Sequence, residues 1–138
     1  MTDDSNPHHT AQLPKPERLS SKRHVDRIFA IGRSFLAYPL RVVYHPLDND
    51  EQCPTAILVS VSKRRFKHAV DRNRIKRLLR EAYRLNKHNL PRTPCFHIAF
   101  LYIASDLPTF PTIQKAMTHA LRTLNKKSQA VTTPSSHQ

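Results

Sequence analysis

Between Lys63 and Arg92 the chain reads KRRFKHAVDRNRIKRLLREAYRLNKHNLPR, in which twelve Lys and Arg stand against only Asp71 and Glu81. The apolar residues of this stretch are not scattered among the charges. At about 100° per residue, Ile75, Leu78, Leu79, Ala82 and Tyr83 fall on one side of a helix, while Lys76, Arg77, Arg80, Arg84 and Lys87 fill most of the opposite arc. A segment divided in this way buries one face and turns the other outward, so the spacing predicts a helix from about 70 to 88. The outward face cannot neutralise itself. A solvated helix ordinarily alternates its signs so that i, i+4 pairs form, and here almost no acids are available. Asp71 falls at the helix start, where a carboxylate complements the amide dipole, and that accounts for it without a metal. Arg72 and Arg74 flank the same end, where free backbone amides add positive potential. Asn73 between them can both donate and accept.

The remaining apolar patterns supply something for this helix to pack against. SSKRHVDRIFAIG places Val25, Ile28 and Phe29 at helical spacing after two serines and before Gly32, which predicts a first helix over about 20–31. PLRVVYHP and TAILVSVS are rich in β-branched residues and predict two strands, expected to be adjacent and antiparallel through the loop LDNDEQCP. FHIAFLYI predicts a third strand, with Phe96, Ile98, Phe100 and Tyr102 on one face. Ile113, Ala116, Met117, Ala120, Leu121 and Leu124 then draw an apolar stripe down a last helix. The order is helix, two strands, basic helix, strand, helix, and 138 residues suit one domain with a modest core. That domain is expected over 18–126. The polar stretches 1–17 and 127–138 are expected to be disordered tails.

A net charge of +13, ten units of which lie within 63–92, makes a polyanion the expected partner. The longest apolar run, Phe96 to Ala104, is strand-sized, so no membrane-spanning helix is expected. The start MTDDSNPHHT lacks the basic and apolar regions of a secretory signal, which points to the cytoplasm. Cys53 and Cys95 form no metal or disulfide pattern. The single glycine, Gly32, excludes glycine-rich phosphate loops, and nine scattered histidines give no catalytic constellation.

The stretch SVSKRRFKHAVDRNRIKRLLREAYR resembles the signature of the bacterial ribonuclease P protein component, with its RNR core at Arg72, Asn73 and Arg74, preceded by SVSK and followed by IKRLLREAYR. The order of elements over 18–126 is similar as well. The resemblance implies an α/β (α+β) two-layer sandwich with a mixed sheet, whose basic helix crosses between parallel strands in the uncommon left-handed sense. It implies two partners, the catalytic RNA of ribonuclease P and precursor tRNA, and a monomer in a 1:1 complex with that RNA. Lys63, Arg64, Arg72, Asn73, Arg74, Lys76, Arg77 and Arg80 would contact the catalytic RNA. Val25, Phe29 and Tyr44 would line a cleft for the single-stranded 5′ leader. The chain would then be part of an endoribonuclease whose Mg²⁺ is held by RNA and substrate, with no catalytic residue of its own.

Two departures from the family pattern stand out. Val25 replaces a Phe common in relatives, and one base stack is worth about 1–3 kcal/mol. The loop RRFKHAV lacks a glycine and is one residue longer, leaving space for Phe66 to fill. From the residues alone Phe29 also fits the core stripe of its helix, and Tyr44 shares a strand face with Leu40 and Val42. The alternative function is a ribosomal or ribosome-associated RNA-binding protein. A DNA reader lacks a helix-turn-helix partner for the basic helix.

Overall fold

The computed structural model describes residues 18–19, 21–47, 55–90 and 95–132; the expected tail 1–17, residues 133–138 and Cys53 lie outside that range. The first helix, α1 (Lys22–Ile31), starts at Ser21, whose carbonyl rather than its side chain receives the amide of Val25 at 2.9 Å. Gly32 ends it with an ordinary extended backbone, φ −72°. The glycine is required there by space: a Cβ would collide with the Ile28 carbonyl oxygen and lie 2.9 Å from that of Tyr44.

Four strands follow the order β1 (Arg33–Ala37), β2 (Leu40–Pro46), β3 (Ala56–Val61) and β4 (Phe96–Tyr102) along the chain. In the sheet they lie β1-β2-β4-β3, with β4 antiparallel to β2 and parallel to β3. The expected β2–β3 hairpin is therefore corrected, because β4 lies between the two strands. The reason is visible in its side chains: six of the seven β4 residues are buried. A strand apolar on both faces belongs in the middle of a covered sheet, whereas β3, at the edge, leaves Leu58 and Ser60 only half-buried. β1 adds a strand to the three predicted ones, pairing with β2 from Arg33↔Tyr44 to Ala37↔Leu40 across the Tyr38–Pro39 turn.

β3 and β4 are joined by α2 (Ala69–Asn86) and a 3₁₀ turn, Lys87–Asn89, which makes the basic helix the crossover of a parallel βαβ unit. The last helix, α3 (Phe110–Thr132), carries helical backbone beyond residue 126. Strand alternation divides the apolar residues between two faces. Leu40, Val42, Tyr44, Ile57, Val59, Phe96, Ile98 and Phe100 meet Ile75, Leu79 and Tyr83 of α2 and the whole predicted stripe of α3. That sheet and those two helices are the two expected layers. On the other face Val43, Ala56 and Ala99 pack with Leu19 and Ile28. There α1 covers the sheet only in part, leaving Leu58, Ser60 and Leu101 half-buried and Arg41 exposed.

Candidate nucleic-acid interface

α2 is held so that its charges face outward. Ile75, Leu79 and Ala82 are wholly buried, and Asn86 donates to the Ala82 carbonyl at 2.8 Å while its oxygen lies 3.2 Å from the Thr118 hydroxyl of α3. Burying each large aliphatic side chain contributes about 1.5–3 kcal/mol, and the polar link sets the helix's rotation against its neighbour. With that face committed, Asn73, Arg74 and Arg77 are exposed, and Lys76 and Arg80 are half-buried on one flank. Asp71 sits in the first turn, as its place in the sequence predicts. Among the described residues the ion pair is Arg84 with Glu81 at 2.8 Å, so the carboxylates leave Arg74, Arg77 and Arg80 unneutralised.

Arg72 has a different job. Its guanidinium donates to the carbonyls of Phe66 and Lys67, at 2.8 and 2.9 Å, and ties the preceding loop to the helix. The loop itself turns through a bond from the Phe66 amide to the Ser62 carbonyl at 3.1 Å, and the Ser62 hydroxyl receives the Arg64 amide at 3.1 Å. Phe66 fills the space as expected, 6% exposed with its ring 6.0 Å from that of Tyr102. Driving Phe66 inward pushes its neighbours out: Lys63, Arg64, Arg65 and Lys67 are all exposed. Arg64 and Arg65 line a depression of about 360 Å³ with Ser60 and Leu101 at the open end of the sheet.

Val25 and Phe29 lie one turn apart on α1, beside the incompletely covered face. Val25, like Leu58 and Leu101, packs against the buried cluster on that face, and Phe29 is 50% exposed. Tyr44 does not join them. It is 5% exposed on the other face of the sheet, with its ring 5.9 Å from Phe35 and 6.1 Å from Phe96 in edge-on contacts. Its placement in the cleft is thus corrected by strand parity: Arg41, Val43 and His45 are the β2 residues turned toward α1's side.

The cleft and the basic helix meet. A cavity of about 380 Å³ is lined by Val25 of α1, Leu58 of β3, Lys76 and Arg80 of α2, and Arg18. Arg18 is held there because it bridges to Ile57 at the outer edge of β3, where the Leu19 amide donates to the Ile57 carbonyl at 2.7 Å. Burial and the positive charge of Arg18 both lower the pKa of Arg80 from the ordinary arginine value. Two cations drawn together with no acid beside them among the described residues leave a local potential that an anion relieves. Arg18 was not a sequence candidate, because a lone arginine before the first helix carries no periodic signal. Leu58 and Leu101 read only as strand residues until the sheet order showed which face was open.

Among the described residues no helix is long and apolar enough to cross a membrane, and no three His, Cys, Asp or Glu side chains converge as metal ligands. The arrangement suits a polyanion: a cationic ridge, a cationic loop and a partly apolar cleft beside α1, the helix that carries the exposed Phe29 ring.

Comparisons with known proteins agree. The family model described as Ribonuclease P matches residues 13–125. The chain is similar to the ribonuclease P protein component of Porphyromonas gingivalis, 44% identical over 117 residues covering 81% of this chain and 85% of that one. It is also similar to the component from Chlorobaculum tepidum, 35% identical over 129 residues covering 83% and 84%. Among solved structures it superposes on the Staphylococcus aureus RNase P protein with a TM-score of 0.63, at 26% identity over 78% of this chain and 94% of that one. The Thermotoga maritima RNase P protein shares the fold, with a TM-score of 0.65 at 24% identity, covering 78% and 96%.

Proposed function

Since the chain belongs to the ribonuclease P protein family, we propose that it binds the RNA subunit of that enzyme along α2 and the 63–67 loop, and the single-stranded 5′ leader of precursor tRNA in the cleft beside α1. Membership makes it a component of the ribonuclease P holoenzyme and so of tRNA processing. In this reading the RNA subunit is catalytic and matures the 5′ end of tRNA by endonucleolytic cleavage. Mg²⁺ held by the RNA and substrate supplies the activated water. The chain's own residues contribute position and charge. Arg74, Arg77, Lys76 and Arg80 lower the repulsion between two polyanions, while the Phe29 ring offers an unpaired base a surface for stacking. One copy of the chain per RNA is the proposed stoichiometry.

The observation that supports this best is the cavity shared by Val25, Leu58, Lys76, Arg80 and Arg18. It makes the cleft wall and the cationic flank parts of one continuous surface, on which a strand leaving the cleft can run its phosphates past α2.

Reconstitution tests the reading. Added to a bacterial ribonuclease P RNA at low Mg²⁺, the chain should raise precursor tRNA cleavage above that of the RNA alone. Arg77→Ala should weaken assembly and reduce the slope of log affinity against log salt by roughly 0.9, one phosphate contact. Phe29→Ala should spare assembly and lower affinity for leader-bearing tRNA about fivefold or more, leaving leaderless tRNA unchanged. Equal cleavage with and without the chain would refute the assignment.

A further inference from the structure

The edge of the molecule away from α2 carries a second concentration of positive charge, which the function proposed above does not use. From Leu107 to the last residue the sequence contains no Asp or Glu. Lys115, His119, Arg122 and Lys126 recur at i, i+4, i+7 and i+11, so they follow one side of α3 for about 16 Å, and all four are exposed. This side is opposite the buried stripe of Ile113, Met117 and Leu121, and among the described residues no carboxylate pairs with any of the four.

Beside this row the turn between β1 and β2 presents Leu36 and Tyr38, 60% and 68% exposed. The turn and the helix enclose a groove of about 630 Å³, lined among others by Leu36, Tyr38, Lys115 and His119. Lys127 follows Lys126 about 100° further round the helix, on the side turned to the sheet, where its ammonium lies 5.9 Å from the centre of the Phe35 ring of β1. Asp106, whose carbonyl receives the Tyr102 hydroxyl, is not among the residues that line the groove.

The chemistry of the groove selects its occupant. An exposed phenol ring flanked by unpaired cations offers a stacking face and phosphate partners together, which is what an unpaired nucleotide needs. A duplex hides its base faces, and a second copy of this chain would set like charge against like. We propose that the β1–β2 turn and the outer side of α3 form a second RNA-binding surface, stacking an unpaired base on Tyr38 and taking the flanking phosphates on Lys115 and Arg122. Because α2 lies over β3 and α3 over β1 and β2, the two surfaces engage different stretches of RNA.

The chain contains no tryptophan, so Tyr38→Trp places a single fluorescent reporter at the proposed stacking position. A twelve-nucleotide single-stranded RNA of mixed sequence should quench it saturably. In that background Lys115→Ala with Arg122→Ala should raise the quenching midpoint about fivefold or more and flatten its salt slope by roughly 1.4, two single-strand phosphate contacts. Arg74→Ala with Arg77→Ala should leave the midpoint unchanged, although it weakens assembly with ribonuclease P RNA measured by anisotropy. All substituted residues are exposed, and circular dichroism checks that each variant is folded. The proposal is overturned by an absence of quenching, by quenching that depends on Arg74 and Arg77 instead, or by equal quenching with the duplex of the same sequence. Self-association in sedimentation that Leu36→Asp abolishes would also overturn it, since a second copy would then be the occupant. Failure of the α2 reading looks different: Arg74→Ala with Arg77→Ala would then assemble normally while the indole reporter in the β1–β2 turn was still quenched.

Discussion

Tyr44 and Phe29 have opposite exposures, 5% and 50%, because a strand directs alternate side chains to opposite faces while a helix presents a continuous side to the open sheet. Tyr44 is wedged between Phe35 and Phe96. Tyr44→Ala should therefore cost about 3–5 kcal/mol in urea unfolding. Phe29→Ala should cost little stability and act on leader affinity. A Tyr44→Ala variant of unchanged stability would contradict the core assignment. Tyr102 makes a pH prediction. Burial first, then the charge of Asp106, raises its pKa to about 12, and its hydroxyl donates to the Asp106 carbonyl at 2.7 Å. A phenol whose folded pKa lies above its unfolded one stabilises the fold fully below about pH 10 and loses that contribution as pH rises toward about 12. Alkaline unfolding followed by circular dichroism should show this fall, and Tyr102→Phe should remove that component of it.

At the level of elements, α1 illustrates how a single residue sets a packing distance. Its last turn approaches β2 so closely that Gly32 has the Tyr44 carbonyl and a Val43 methyl, 3.2 Å away, where a side chain would begin. Gly32→Ala should push α1 off the sheet and destabilise the protein by about 1–3 kcal/mol. Leader binding should fall with it, as Phe29 moves relative to the cleft floor. Equal thermal midpoints for the two proteins would show that the helix end can shift freely. α2 depends on the opposite arrangement, with one face locked by Ile75, Leu79 and the Asn86–Thr118 link and the other left for solvent or RNA. The 63–68 loop is tied to it by Arg72, which holds the exposed cations of the loop next to those of the helix.

Over the whole molecule the net charge of +13 opposes compaction, and the repulsion between Arg18 and Arg80 is one instance of it. Raising the ionic strength from about 0.01 to 0.1 M shortens the screening length from about 30 to 10 Å. The free chain should consequently melt at a higher temperature, with each kcal/mol of relieved repulsion worth roughly 2–8 °C. A midpoint that fell or stayed level with salt would mean that the cations are already balanced within the chain. The three helices, three of the four strands and the polarity of α2 were legible in the residues alone, because period and charge segregation are local properties of neighbouring positions. So were the outer placement of Arg74 and Arg77 and the filling of the loop space by Phe66. Folding in three dimensions was needed to set β4 between β2 and β3, turn Tyr44 away from the cleft, commit Arg72 to its own loop, and bring Arg18 to Lys76 and Arg80. Each of these depends on which strand edges and faces meet, and residues 18, 57 and 80 become neighbours only after the sheet order has been chosen.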